Sequence, residues 1–284
     1  MKIFVTGGTG FIGSHFVRTA ITEGHEVIAL RRPGSMPRIN LQVQPRWIEG
    51  NLADDWSNEL QSCDVLVHLA AVGVIPGTTT DLECYQINVI ETAKLWQNAV
   101  NAGIKSFVVC GSCFEYGKSG ERYELIPADA PLVPTGAYHA SKASASMIAC
   151  AMAVQHQLSL EIARPFHVFG EGEHPSRFWP SLVAAAKEGL DFPMTEGSQI
   201  RDFIHVSEVA ASLLDSCLFV SQSHAVIRLR NIGSGSPESL RSFAEKWWKK
   251  YEARGTLLNG AIPSRQNEVA RYVACLTPAC YKYS

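Results

Sequence analysis

The sequence predicts an α/β fold, a doubly wound parallel sheet with a smaller C-terminal region. Short apolar runs alternate with segments of helical spacing in the first part of the chain, and this alternation is typical of parallel strands joined by helices. A glycine-rich segment follows the first apolar run directly. The predicted strands are 2–6, 27–30, 64–69, 107–110 and 160–163, and the predicted helices lie at 14–23, near 85–102 and near 138–156.

The second part of the chain has a different pattern. Prolines at 175, 180 and 193 separate shorter segments there, including a predicted helix over 179–188. We expect residues 1–165 to form one domain and residues 166–284 to form mainly a second region, with part of it, about 200–228, returning to the first. No repeat, low-complexity tract or charged tail separates the two parts, so they are expected to pack as one unit around a cleft.

The overall charge and apolar content exclude several classes of partner. A formal net charge of -2 at pH 7 gives no electrostatic reason to expect nucleic acid or an anionic membrane. The N-terminal apolar run is too short for a secretory signal, and the most apolar stretch, 64–75, is too short to span a bilayer. We therefore expect a cytoplasmic protein with no nucleic-acid or membrane partner.

The 8 cysteines follow no repeating framework, and a chain of this size does not need disulfides to fold, so we expect free thiols. Cys110 and Cys113 form a CxxC pair. A zinc site would need a second pair of ligands, and we expect no metal.

The first strand leads into the glycine pattern Gly7, Gly10 and Gly13, which also opens a helix. Glycine permits a tight turn and close approach of the backbone to a pyrophosphate, while the helix N-terminus supplies N–H donors. The context predicts a Rossmann-type dinucleotide site that includes Phe11 and Ile12. A structural turn without a ligand is the alternative.

The second strand ends at Arg31 and Arg32, where an NAD-selective site usually has an acidic residue. Two guanidinium groups suit a 2′-phosphate instead. The pattern favours NADP(H), with NAD(H) possible. The alternative is that both arginines are solvated surface residues.

Tyr138 and Lys142 lie four residues apart and share one face of the predicted helix. A nearby ammonium lowers the pKa of a phenol, so this pair predicts an acid or base. Ser112 follows the strand 107–110 and is expected at the carboxyl edge of the sheet, where it can orient a carbonyl.

Together these motifs resemble the extended short-chain dehydrogenase/reductases, the family of nucleotide-sugar epimerases, dehydratases and reductases. The resemblance runs nearly end to end. The supporting segments are 6–13, 50–52, 68–71, Asn88, 112–117, Tyr138 with Lys142, Arg164 with Pro165, and 201–206.

The resemblance implies that residues 1–165 bind the dinucleotide and that residues 166–284 mainly bind substrate. Tyr138 would transfer the proton, Ser112 would bind the substrate oxygen, and Lys142 would bind the nicotinamide ribose. Asn51 and Leu52 would contact adenine, although the family usually has aspartate at position 51. The further cofactor residues implied are Leu69, Ala70, Ala71, Asn88 and Pro165.

On the substrate side, the resemblance assigns the nucleotide diphosphate to Arg201 and Arg265, and it adds Cys113, Phe114 and His167 to the sugar site. Family dehydratases carry an Asp-Glu pair at the positions of Cys113 and Phe114, so dehydration is not expected. Family members also usually continue past the segment that matches 272–279 into a further helix, so the C-terminus can be native or truncated.

The preferred function is therefore an NADP-dependent reductase of a nucleotide-activated keto sugar, with a 4-keto-6-deoxyhexose as the expected substrate. The alternative is an NAD-dependent nucleotide-sugar 4-epimerase, and a non-catalytic dinucleotide sensor is a third hypothesis. The helices near 85–102 and 138–156 resemble the family's dimer interface and predict a homodimer. The nucleotide base, the sugar and the product stereochemistry stay open.

Overall fold

The computed structural model describes residues 1–75, 77–264 and 269–283, and it confirms the predicted α/β fold. The strands are β1 (Lys2–Thr6), β2 (Glu26–Arg31), β3 (Arg46–Glu49), β4 (Val65–His68), β5 (Ser106–Cys110), β6 (Ser159–Pro165), β7 (His167–Phe169), β8 (Phe192–Met194), β9 (Ile200–Arg201), β10 (Phe203–His205), β11 (Val226–Ile232), β12 (Glu238–Ser239), β13 (Leu257–Asn259), β14 (Arg271–Tyr272) and β15 (Ala279–Lys282). The helices are α1 (Phe11–Thr22), α2 (Ser57–Leu60), α3 (Asp81–Tyr85), α4 (Thr92–Asn101), α5 (Ala137–His156), α6 (Phe178–Glu188), α7 (Val206–Ser221) and α8 (Leu240–Lys250).

The main sheet has eight strands in the order β15-β11-β6-β5-β4-β1-β2-β3. Its strands are parallel except β15, which pairs antiparallel with β11. The chain order reverses direction at β1, which pairs with β2 on one side and β4 on the other. Ligands of doubly wound sheets bind outside the carboxyl ends of the strands at such a reversal.

Side chains of β1 point alternately into the two layers of helices that cover the sheet. Ile3 and Val5 pack in one cluster with residues of α1 and α7, whereas Phe4 packs in the other with residues of α4 and α5. All three side chains are fully buried. A large apolar side chain stabilises the fold by about 1.5–3 kcal/mol when it is completely buried, so both layers hold the sheet rigidly below the site.

The second half of the chain contributes both to the main sheet and to a separate aromatic cluster. Helix α7 packs against α1, and β11 pairs along β6. Helices α6 and α8 instead surround their own core with β8 and β13. Its fully or largely buried members include Leu182, Met194, Phe243 and Trp247.

The predicted helix near 85–102 begins earlier, at Asp81, and its middle is a π-helical turn over Gln86–Glu91. Thr80 caps its start, because the Thr80 hydroxyl accepts the Glu83 N–H and the Glu83 carboxylate accepts the Thr80 N–H. π-helical turns inside helices often occur at functional sites. Asn88, one of the predicted site residues, lies at the centre of this turn.

The 8 cysteines are free thiols. Within residues 1–75, 77–264 and 269–283, no cluster of three or more metal-ligating side chains is present. No helix in that same part of the chain is long and apolar enough to cross a membrane.

Candidate functional site

The glycine turn between β1 and α1 leaves no room for side chains. Gly7 has φ +71°, and a Cβ atom there would lie 2.6 Å from the backbone nitrogen of Ala70. A Cβ atom on Gly13 would collide with the carbonyl oxygen of Gly7. Both positions therefore require glycine because a Cβ atom has no space there, and Gly7 requires it also because of its positive φ.

The N-terminus of α1 has no side-chain cap, because Gly10 occupies the cap position. Its first N–H groups and its dipole consequently remain able to bind an anion. The predicted residues Phe11 and Ile12 form the first turn of this helix. This glycine turn fits the pyrophosphate of a dinucleotide.

The end of β4 forms the floor beside the glycine turn. His68 is buried, with its two ring nitrogens 2.9 Å from Thr6 Oγ1 and 3.3 Å from Thr92 Oγ1. Burial lowers the pKa of His68 to about 3, with a smaller contribution from the nearby Lys142 charge. The ring is therefore neutral, and it fixes β4 and the following Leu69–Ala71 segment against β1 and α4.

Asn88 holds that same segment against α5. Its amide accepts the Val72 N–H at 2.9 Å, donates to the Val72 carbonyl at 3.0 Å, and donates to the Ser141 hydroxyl at 3.0 Å. Asn88 is buried, and its amide is committed to these protein groups. The structure thus gives this predicted cofactor residue a supporting position behind the wall of the site.

The two arginines at the end of β2 differ in their surroundings. The Arg31 guanidinium donates to the Glu49 carboxylate at 2.8 and 3.1 Å and lies 5.1 Å from the Trp47 ring centroid. Arg32 is exposed. Strand pairing explains the difference, since the parallel register sets Arg31 directly beside Glu49.

The Asn51–Leu52 turn follows β3 at the same edge. The Asn51 N–H donates to Asp54 Oδ2 at 2.7 Å, and its carbonyl accepts the Trp56 indole N–H at 2.9 Å. The Asn51 side chain is exposed, and Leu52 packs partly against the core. The turn is fixed by its backbone, which leaves the Asn51 amide on the surface.

The structure brings Ser112, Tyr138 and Lys142 together at the carboxyl end of β5. The Ser112 hydroxyl lies near enough to the Tyr138 phenol to act on its pKa, and it accepts the Phe114 N–H at 3.3 Å. Lys142 is buried and donates to the Cys110 carbonyl at 2.7 Å. Pro165, at the end of β6, occupies the same edge of the sheet.

The electrostatics of Tyr138 correct the expectation from its spacing to Lys142. Burial raises the pKa of Tyr138 well above its usual range, and the nearby Ser112 hydroxyl opposes only part of that rise. Desolvation of the phenolate exceeds the stabilisation available to it. Tyr138 is therefore protonated at neutral pH in this structure.

An aromatic shelf adjoins this trio, formed by Phe114, His139, His167 and Tyr272. The Phe114 ring is 37% exposed, stacks on His139 at a centroid distance of 5.0 Å, and meets the edge of His167 at 6.0 Å. Cys113, by contrast, is only 1% exposed, so the chain presents Phe114 and encloses Cys113.

His167 is half-buried and has a buried polar atom without a hydrogen-bond partner among the described residues. Burial lowers the pKa of His167 to about 3, and the charges of Arg201 and Arg177 contribute in the same direction. Its Nδ1 atom is buried and has no hydrogen-bond partner in the described part of the chain. Such an atom is stabilised when a ligand supplies a hydrogen bond.

Arg201 lies on β9, close enough to influence the pKa of both His167 and Cys113. One of its N–H groups donates to the Ile200 carbonyl at 2.9 Å. The predicted second diphosphate residue, Arg265, lies outside the described residues.

Sequence reasoning did not single out His139, Tyr272 or Glu115 as site residues. His139 and Tyr272 reach the shelf from elements distant in sequence, so no local pattern marks them. Glu115 had a local signal, since it is the one acidic residue in the Ser112–Gly117 segment.

A Rossmann-type sheet with a glycine turn and a Ser-Tyr-Lys trio defines a class of dinucleotide-dependent enzymes. The model of the NAD dependent epimerase/dehydratase family matches residues 3–227. The chain belongs to this family, whose members act on nucleotide sugars, and it is an enzyme of the extended short-chain dehydrogenase/reductase type.

Individual relatives agree with this assignment. A low-salt glycan biosynthesis protein, Agl12, from Haloferax volcanii is 31% identical over 87% of this chain and 81% of its own length. A UDP-glucose 4-epimerase from Neisseria meningitidis serogroup B is 27% identical over 84% and 79%. The structure of MoeE5 in complex with UDP-glucose and NAD has a TM-score of 0.82 and 28% identity, covering 97% of this chain and 90% of that one.

Proposed function

We propose that this enzyme reduces a keto group on a nucleotide-linked sugar, with Tyr138 as the proton donor. The observation that carries the proposal is the placement of the Ser112 hydroxyl near the Tyr138 phenol at the end of β5, with buried Lys142 one turn further along α5. A reduction adds a proton to the carbonyl oxygen, and the Tyr138 phenol, which is protonated at neutral pH, carries a proton that it can donate.

The neighbouring groups support the same direction of reaction. Because Ser112 Oγ already accepts the Phe114 N–H, its own proton is available to a substrate oxygen. Lys142 places a positive charge beneath the site, where it stabilises the developing alkoxide. The glycine turn and the uncapped N-terminus of α1 would hold the pyrophosphate of a reduced nicotinamide dinucleotide, which would supply the hydride.

For the cofactor we propose a preference for NADP(H), carried by Arg32. Arg32 is exposed at the end of β2, where a 2′-phosphate on the adenosine ribose would be placed. Arg31 is less available because Glu49 already neutralises it.

A nucleotide-linked sugar suits the substrate side. Arg201 supplies positive charge near His167, and a diphosphate needs cationic donors fixed in place. The buried Nδ1 atom of His167, which has no hydrogen-bond partner among the described residues, could bond to a ligand in the same region. Arg265 is proposed as a second such donor. The Phe114 shelf favours an apolar edge on the sugar, as in a 4-keto-6-deoxyhexose, because an aromatic face gains little from a hydroxyl group.

The second candidate is an NAD-dependent 4-epimerase. The ion pair between Arg31 and Glu49 favours it, since that pair removes one of the two cations on which NADP selectivity depends. The Neisseria relative is named a UDP-glucose 4-epimerase, and MoeE5 was solved with NAD.

We also propose a homodimer, with each subunit contributing the helices α3–α4 and α5. These helices carry exposed apolar side chains, namely Leu82, Ile90, Met147 and Val154. Exposed apolar groups on neighbouring helices are typical of surfaces that become covered by a partner. Sedimentation of the wild type and of Met147→Glu tests this: the variant is expected to sediment as a monomer, and an unchanged dimer would contradict the interface.

Dinucleotide stoichiometry separates the two candidate functions. Purified enzyme is incubated with a nucleoside diphosphate 4-keto-6-deoxyhexose and NADPH, and the absorbance of the reduced cofactor is followed together with the sugar product. The reductase proposal predicts that one NADPH is consumed for each keto sugar. Interconversion of nucleotide sugars without net loss of reduced cofactor supports the epimerase. Tight dinucleotide binding without turnover of any nucleotide sugar indicates a sensor.

A further inference from the structure

A fully buried carboxylate lies directly behind the Ser112 turn. Glu115 has no exposed surface, and its partner Arg164 is 3% exposed. One carboxylate oxygen of Glu115 accepts the Ser112 N–H at 2.8 Å. The other accepts the Ser146 hydroxyl at 2.8 Å and the Arg164 Nε–H at 2.7 Å. All the bonds of this carboxylate run to protein groups.

Stability alone is a weak reason for such an arrangement. Burying an ion pair costs desolvation energy that the attraction between the charges often fails to exceed, and a packed apolar pair is frequently as stable. Positional specificity is a better-supported reason when the groups satisfied by the pair belong to a functional site.

The three bonds of Glu115 lead to three different elements of the site. The Ser112 N–H belongs to the turn after β5, Ser146 lies on α5, and Arg164 is at the end of β6. Ser146 is four residues beyond Lys142, on the same face of the helix. The Glu115 carboxylate therefore fixes the position of the Ser112 turn relative to α5, the helix that carries Tyr138 and Lys142.

The surroundings of this carboxylate prevent it from moving. A Cβ atom on Gly111 would lie 2.5 Å from Glu115 Oε1. At its far end, Arg164 donates to the Ala128 carbonyl at 2.9 Å, and the nearby Tyr116 hydroxyl donates to Asn231 Oδ1 at 2.6 Å. The hydrogen-bond network that includes Glu115 therefore reaches β11, which lies on the side of β6 opposite to β5.

We propose that Glu115 is a positioning residue for the reaction, which sets the distance between Ser112 and the Tyr138–Lys142 pair while touching no substrate. The inference rests on the proposed function, in that Ser112 acts on the substrate oxygen. A displacement of the reacting groups by about 1 Å can lower a rate by about 10²-fold.

The chain contains a matched control for this carboxylate. Glu161 on β6 also has no exposed surface, pairs with Arg228 and Arg230, and accepts the Ser216 hydroxyl at 2.8 Å. Its hydrogen-bond partners lie on α7 and β11 and include no member of the trio. Substitution at Glu161 therefore breaks the same kind of network without reaching the Ser112 turn.

The first test compares Glu115→Gln with Glu161→Gln at a temperature at which both are folded. A glutamine amide has one acceptor oxygen, so its NH2 group must face either the Ser112 N–H or the Ser146 and Arg164 donors, and it cannot replace the carboxylate. We expect kcat to fall about 10²-fold in Glu115→Gln, with KM and the dinucleotide Kd nearly unchanged, while Glu161→Gln keeps the kcat of the wild type. Equal kcat values in the two variants would overturn the proposal.

A milder pair covers the case in which Glu115→Gln does not fold. Ser146→Ala and Ser216→Ala each remove one hydroxyl from a buried carboxylate without leaving a charge unpaired. We expect only Ser146→Ala to lower kcat, by severalfold. In a Ser112→Ala background, Glu115→Gln should have no further effect on kcat, because the Ser112 hydroxyl is the group that Glu115 positions. If the two substitutions instead lower kcat by independent factors that multiply in the double variant, the proposal is overturned.

Amide hydrogen exchange distinguishes this inference from the proposed function. We expect Glu115→Gln to accelerate exchange over residues 111–117 and Glu161→Gln to leave it unchanged, whether or not keto sugars are reduced. If the wild type reduces no keto sugar, the proposed function fails while the exchange comparison still decides the positioning role. Unaltered exchange and unaltered kcat in Glu115→Gln would refute the positioning role alone.

Discussion

Substitution of Gly7 by alanine tests the dinucleotide site most sharply, because Gly24 provides a matched control. Both glycines have positive φ, +71° and +80° respectively, but a Cβ atom on Gly24 would meet nothing within 4 Å. Alanine at either position therefore suffers similar backbone strain, about 1–2 kcal/mol, which lowers Tm by roughly 2–8 °C. Only the Gly7 variant also encounters the backbone at Ala70.

The magnitude at Gly7 follows from the contact distance. The new Cβ would lie 2.6 Å from the Ala70 nitrogen, whereas ordinary contacts begin at 3.4 Å, so the glycine turn and the segment that follows β4 must separate by about 0.8 Å. This would displace the N–H groups proposed to bind the pyrophosphate of a dinucleotide. A hydrogen bond to a charged group contributes about 1.5–3 kcal/mol, so loss of one raises the Kd at least about tenfold.

Calorimetric titration of both variants with the dinucleotide supplies the assay, alongside thermal unfolding. We expect both alanine variants to lose stability and only Gly7→Ala to lose affinity. Wild-type affinity in Gly7→Ala would refute the argument, and so would an equal loss in Gly24→Ala, because then strain and not close approach would govern binding.

Three other predictions follow from the site. Arg32→Ala should weaken NADPH binding at least about tenfold and NADH binding little, with a smaller effect for Arg31→Ala because Glu49 already pairs with it; equal losses for both cofactors in titrations would contradict the NADP preference. Phe114→Ser should raise KM for a 6-deoxy keto sugar more than for its 6-hydroxy counterpart, and equal KM changes would exclude the shelf as the reason for selectivity. His68 has a folded pKa of about 3 and an unfolded pKa of about 6.5, so its stabilisation is present above the unfolded value and is lost as pH falls through this window. Between pH 7 and 5 the loss is about 2 kcal/mol, and chemical denaturation should show that His68→Gln reduces the acid sensitivity by that amount.

The parts of the fold that depend on local pattern were predictable from the sequence. The first predicted strand, 2–6, is confirmed as Lys2–Thr6, and the helix near 138–156 is confirmed as Ala137–His156. Both rely on short-range periodicity and on residues that bury one face. The glycine turn was likewise recognisable, since the strand before it and the helix after it are adjacent to it in the sequence.

Other features depend on residues that are distant in sequence. The ion pair of Arg31 with Glu49 arises from the register of β2 and β3, and Glu115 meets Arg164 only because β5 and β6 are neighbours. The sequence gives no register for such pairs.

The pKa of Tyr138 illustrates a different limit. The spacing to Lys142 places the two residues one turn apart on α5, but the direction of the pKa shift depends on how much water the folded chain removes from the phenol. Burial decides that direction here, and burial is a property of the tertiary structure.

The most direct test of the central claim is single-turnover reduction of a nucleoside diphosphate 4-keto-6-deoxyhexose by wild type and Tyr138→Phe, with dinucleotide affinity measured in parallel. Phenylalanine preserves the ring and removes the transferable proton. We predict a rate lower by about 10²–10⁴-fold in the variant, with the dinucleotide Kd unchanged. A variant that keeps most of the wild-type rate would contradict the assignment of Tyr138 as the proton donor.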